Sequence, residues 1–135
     1  MTQDLNATVA EMVRVVRAAV PEAVALYRFG SFGTDWFGPE SDLDIGVVMP
    51  FNQPMASPFD LDVPDIDGHF LDIVDLYEAP ITLQLQVIEH GHRMWAERPS
   101  EFGWYEVFVM REYQDWYAQW GPYMKRCAER GYVLR

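Results

Sequence analysis

Between Arg28 and Arg93 the chain carries no lysine or arginine, yet residues 29–92 hold twelve acids: Asp35, Glu40, Asp42, Asp44, Asp60, Asp62, Asp65, Asp67, Asp72, Asp75, Glu78 and Glu89. Wherever several of these converge in a fold, their repulsion must be relieved by protonation, by solvent or by a bound cation, because basic side chains can arrive only from the two ends. The whole chain leans the same way, with ten Lys plus Arg against twenty-one Asp plus Glu and a net charge of -11. A field of that sign repels phosphate backbones, which excludes autonomous nucleic-acid binding and suits a basic protein partner. Half of the 135 residues are hydrophobic and 15% are aromatic, enough for a core in one domain spanning 1–135. The lone Cys127 excludes a disulfide framework or a four-cysteine zinc site and fits a reducing compartment. No apolar stretch approaches a membrane span and no secretory signal opens the chain, so the expected location is cytoplasmic.

Periodicity gives a coarse order of elements. Val9, Met12, Val13, Val16 and Val20 fall near helical spacing over residues 8–19, with Asn6 or Thr8 as cap and Pro21 as stop. Val24–Phe29, Leu43–Val48 and Phe70–Leu76 read as strands. Met49–Gly68, broken by four prolines, reads as one long loop. Residues 81–88 alternate like a strand, but Pro80 and Gly91 flank them as helix boundaries do, and the reading is helix. From Phe102 to Trp120 aromatic residues recur at three-and-four spacing, a long helix whose aromatic face is read as core, with a partner surface as the alternative for part of it, interrupted at Pro122 and capped at Gly131. The sum is an α/β (α+β) chain: a small mixed β-sheet packed by helices, with a core at about 8–95 and a C-terminal helical segment at about 100–131.

The segment that carries chemistry is Gly30 to Asp44, GSFGTDWFGPESDLD. It starts where a strand runs into Gly30-Ser31, a place where a phosphate can approach bare backbone and a hydroxyl can donate to it. It ends with Asp42-Leu43-Asp44 entering an apolar strand. The two-residue period puts both carboxylates on one face, attached about 6.5 Å apart, close enough to lean together on metals roughly 3.5–4 Å apart. Such a centre calls for a third anionic ligand from a neighbouring strand. Asp72, sharing a face with Phe70 and Val74, is the best placed, and Asp75 on the other face is its rival. Ser41 reads as a turn residue. His90 and His92 lack a third ligand and read as surface histidines. The acids from Asp60 to Asp67 do not match a calcium loop.

Gly30-Ser31, ten intervening residues, then Asp42-Leu43-Asp44 resembles the GSX10DXD signature of the DNA polymerase β-like nucleotidyltransferases, with Asp72 completing the carboxylate triad. The whole chain, including HFLDIVDLYEAP and the long tail helix, resembles the MntA-type minimal nucleotidyltransferase antitoxins. The resemblance implies a polymerase β-like fold and a Mg²⁺-dependent protein adenylyltransferase. Its implied reaction carries AMP from ATP to a tyrosine of a HEPN-domain ribonuclease toxin of the HepT type, silencing it within a hetero-oligomer. By the same resemblance Gly30 and Ser31 hold the triphosphate and Asp42 and Asp44 bind Mg²⁺, while Asp72 binds one ion and helps deprotonate the acceptor. Two departures stand out: relatives carry a basic residue then glycine where this chain has Thr34-Asp35, and a helix where it has the proline-rich loop. Arg28, Arg93 and Arg111 are the cations available from outside the base-free segment. Neutralisation of a partner by binding alone, or nucleotidyl transfer to a small molecule, are the alternatives.

Overall fold

The computed structural model describes residues 4–131. Its elements run α1 (Leu5–Ala19), β1 (Ala25–Phe29), β2 (Leu43–Val48), β3 (Leu71–Asp75), α2 (Ile81–His90), β4 (His92–Ala96) and α3 (Ser100–Glu129), with short 3-10 turns at Pro58–Asp60 and Leu76–Glu78. The four strands form one sheet in the order β3-β2-β1-β4. β1 runs antiparallel to both β2 and β4, whereas β2 and β3 are parallel. The mixed α/β architecture expected from the pattern is therefore present. No described helix is long and apolar enough to cross a membrane.

Alternation along β2 divides the interior into two layers. Leu43, Ile45 and Val47 face α1, where they meet Met12, Val15 and Val16. Ala25, Tyr27 and Val48 face the other side, against Leu76, Val87, Tyr105 and Val109. Gly46 lies under Leu76 so closely that a Cβ there would stand 2.8 Å from the leucine's methyl carbon. The second layer is tied by polar contacts that suit its depth. Tyr105, 1% exposed, donates its hydroxyl hydrogen to Gln84 Oε1 at 2.9 Å, and Gln84 Nε2 donates to the Ala79 carbonyl at 2.9 Å. Burial is the main reason the Tyr105 hydroxyl is pushed up, so it remains a donor. Tyr27 likewise donates to Glu106 at 2.8 Å, and Arg93 closes on the same carboxylate. Tyr105→Phe is expected to leave Gln84 Oε1 buried and unpaired, lowering stability by about 1.5 kcal/mol in urea denaturation with an unchanged m-value.

The structure corrects the sequence reading at several points. The α1 cap is Asp4, whose side chain accepts from the amides of Asn6 and Ala7; Thr8 is buried within the helix and donates to Asp67 at 3.2 Å. A fourth strand, β4, is one the periodicity does not announce, and His92 at its start is an exposed surface residue as expected. Residues 81–90 are helical and flanked by Pro80 and Gly91 as expected. Pro122 does not interrupt α3. Proline removes one amide hydrogen bond, to the carbonyl four residues back, and both Pro122 and Ala118 are exposed, where water can take that carbonyl. Gly131 follows the helix end at φ +83, as a terminal glycine should. The aromatic face of α3 is core only in part: Tyr105 and Val109 are buried, whereas Tyr117 and Trp120 are 54% and 46% exposed. The stretch from Met49 to Gly68 is loop apart from the Pro58–Asp60 turn and an isolated bridge from Ile66 to His69.

Candidate active site

Register alone brings two of the three predicted acids together. β2 and β3 pair in parallel with Asp44 opposite Asp72, and β1 and β2 pair with Phe29 opposite Asp44. Gly30, the next residue after β1, consequently lies beside the same carboxylate. Its φ is +78, and a Cβ there would sit 2.0 Å from Asp44 Oδ2, a space only glycine leaves open. Asp42 stands one residue before β2, exposed. The Asp44 carboxyl is pushed up to about 6, chiefly by burial, then by the charge and hydrogen bond of Asp72, then by Asp42. Asp72 is exposed at the sheet margin, with Leu71 and Ile73 buried on the opposite face. Phe70, expected to wall it on one side, is 58% exposed. Asp75 pairs in register with Val47, and its Oδ2 accepts from the Met55 amide at 3.1 Å, so it is engaged away from Asp44.

Gly30-Ser31 begins a tight loop. The Ser31 carbonyl accepts from the Thr34 amide at 2.9 Å and from the Thr34 hydroxyl, and the Trp36 amide donates back to Thr34 Oγ1. Thr34, which stands where relatives place a base, is thus a turn-closing residue. Positive charge comes to the loop from β1 instead: Arg28 donates to the Phe32 carbonyl at 3.2 Å, and its guanidinium lies 2.8 Å from where a Gly33 Cβ would be. Of the three arginines considered from sequence, Arg93 is spent on Glu106 and Arg111 lines a groove beside Phe51.

Three residues that hold this site escaped the sequence reading. His69, 8% exposed, donates from Nδ1 to the Ser41 carbonyl at 2.7 Å, immediately before Asp42. Its ring lies 4.5 Å from that of Phe37, which meets Phe32 edge to face at 5.2 Å. The rings and this hydrogen bond tie the Gly30–Asp44 segment, near its start and near its end, to the residue two before β3. Ser41 itself is a turn residue as expected, its hydroxyl accepting from the Gly38 amide at 3.0 Å. The signal in the sequence was Phe32 and Phe37 inside a loop otherwise made, but for Trp36, of small and polar residues. His69→Ala is expected to leave the half-buried Ser41 carbonyl without its partner, costing about 1 kcal/mol in chemical denaturation. It should also raise the nucleotide KM more than it lowers kcat, because the residue positions Asp42 without touching substrate.

The donor set is chemically suited to a hard divalent cation. All three acids offer oxygen, none of them pairs with a base among the described residues, and burial with Asp72 alongside raises the Asp44 carboxyl. Among the described residues no three His, Cys, Asp or Glu side chains close into a ready-made cage. Such an incomplete donor set suits Mg²⁺, which keeps waters and phosphate oxygens as ligands.

Comparison with known proteins decides the family. The polymerase beta nucleotidyltransferase model matches residues 14–99. The chain belongs to this family. The matched range contains the strand carrying Arg28, the Gly30-Ser31 loop, all three acids and β4, so this nucleotidyltransferase carries its family-matched region on the sheet, and α3 lies wholly outside it. A curated relative, protein adenylyltransferase MntA of Shewanella oneidensis strain MR-1, is 28% identical over 119 residues, covering 81% of this chain and 76% of that protein. Among solved structures, a toxin-antitoxin with AMP-PNP superposes with a TM-score of 0.71 at 20% identity, covering 89% of this chain and 98% of that one. The tri-AMPylated Shewanella oneidensis HEPN toxin in complex with MNT antitoxin gives 0.70 at 19% identity, covering 92% and 98%.

Proposed function

We propose that this nucleotidyltransferase is the antitoxin of a toxin–antitoxin pair and neutralises a HEPN-domain toxin by transferring AMP from ATP to a toxin tyrosine. The observation that carries the reading is Asp44, aligned with Asp72 by strand register and in contact with the bare backbone of Gly30. The similarity to a protein adenylyltransferase and the shared fold of toxin-antitoxin complexes support the acceptor class.

In this mechanism the backbone at Gly30 and the hydroxyl of Ser31 receive the triphosphate, with Arg28 placing positive charge beneath the loop. Asp42 and Asp44 are the residues that would hold Mg²⁺, with Asp72 sharing one ion. Bound there, Mg²⁺ would neutralise the phosphates and make the α-phosphorus a better electrophile. Asp72 accepts the proton of the toxin tyrosine, whose oxygen then forms the new bond to the α-phosphorus as the bond to pyrophosphate breaks. Transfer of this kind demands positioning and charge neutralisation rather than covalent work by the protein.

The test is to incubate the chain with a HEPN-type protein encoded in the adjacent reading frame, ATP and Mg²⁺. The expected result is a mass gain of AMP units on a toxin tyrosine with loss of ribonuclease activity. Protection without any mass gain would instead establish neutralisation by binding, the reading that the Thr34-Asp35 departure favours.

A further inference from the structure

The stripe by which α3 seats on the sheet does not stop where the sheet does. Phe102, Tyr105 and Val109 pack inward, and Val109 is the last residue of α3 in the core. The same face continues through Tyr113, Trp116, Trp120, Tyr123 and Cys127, whose spacings alternate three and four. That is the heptad repeat of a helix with a helical partner. Trp120 and Tyr123 are 46% and 52% exposed, and the ring contacts of this stretch among the described residues are internal, Tyr113 lying 5.6 Å from Trp116. Pro122 falls on the opposite side, so the stripe is unbroken. A projecting turn sequence rich in Tyr and Trp has little intrinsic helix stability and gains it from packing.

We propose that residues 113–127 pair antiparallel with the same residues of a second copy. The flank of the stripe supplies the argument. Glu112, Gln119 and Arg126 recur every seven residues along one edge. A two-fold axis at Gln119 sets Glu112 against Arg126 of the second copy twice and Trp116 near the second copy's Trp120. A parallel pair would instead face Glu112 with Tyr117 of the second copy and Gln119 with its Met124, leaving both charges of the stripe without a partner. The antiparallel arrangement also carries the two bodies, each within a chain of net charge -11, to opposite ends of the helix pair.

Sedimentation velocity on the full chain, without toxin, tests this. Wild type is expected to be a dimer at micromolar concentration, and Trp120→Asp a folded monomer that has lost part of its helical circular dichroism. Glu112→Arg should weaken the dimer about tenfold, and adding Arg126→Glu to it should restore wild-type affinity. A monomeric wild type, a dimer that survives Trp120→Asp, or a double variant no tighter than the single one would each overturn the proposal. So would a monomer whose Trp120→Asp variant loses toxin binding, since the stripe would then belong to the toxin.

Discussion

Asp44→Asn is expected to lower AMP transfer by about 1,000-fold and, in metal-free protein above neutral pH, to raise thermal stability. Both effects come from one cause. The Asp44 carboxyl titrates at about 6 in the fold against 3.8 ordinarily, because burial and then Asp72 disfavour its charge. Between those values the folded protein binds more protons than the unfolded chain, so this group's contribution weakens as pH rises from about 4 to about 6 and stays weak above. An amide carries no such penalty. The carboxyl is only half-buried, so water trims the gain to about 1 kcal/mol, or about 3 °C in Tm, absent at pH 4 and full at pH 8. Mg²⁺ should reverse the order, stabilising wild type and leaving Asp44→Asn unmoved. Calorimetry at two pH values with and without Mg²⁺ measures this independently of turnover, and a variant that loses transfer with no gain in stability at pH 8 would mean that Asp44 carries no such strain.

Gly30→Ala is expected to be nearly as damaging, through geometry rather than charge. A methyl group there would stand 2.0 Å from Asp44 Oδ2 at a φ of +78, so either the carboxylate swings off Asp72 or the end of β1 moves. Loss of a fixed carboxylate position should cost about 100-fold in transfer, and the strained backbone about 1–2 kcal/mol in stability. Gly68→Ala is the control. Gly68 has a φ of +80 but open space around it, so the same substitution should cost about 1 kcal/mol of strain with transfer unchanged. Equal losses of transfer at both glycines would show that backbone strain, not displacement of Asp44, is responsible.

What could be seen in advance depended on how local the determining contacts are. β2 spans Leu43–Val48 as expected because Leu43, Ile45 and Val47 alternate with Asp44 and Gly46, a pattern complete within one strand. The pairing of Asp44 with Asp72 was legible because two such strands, each carrying an acid near its start, have few ways to align. β4 was not, since His92-Arg93-Met94-Trp95-Ala96 has no clean alternation and pairs with β1 across an irregularity between Leu26 and Tyr27. An edge strand of this kind is defined by its neighbour. His69 was missed for a similar reason: its partner Ser41 lies 28 residues away, and no periodicity reports a single bond over that distance. The outer half of α3 misled in the other direction, because helical spacing reveals that a face is apolar but not what covers it.

The sheet ends at β3, and Asp72 is exposed on that outermost strand. Chemistry conducted on a margin needs no gate: an acceptor as large as another folded protein can present a side chain there without the enzyme first opening. Turnover in such a layout would be paced by how long the two surfaces stay engaged, which makes residence time, rather than a hinge, the natural target for tuning it.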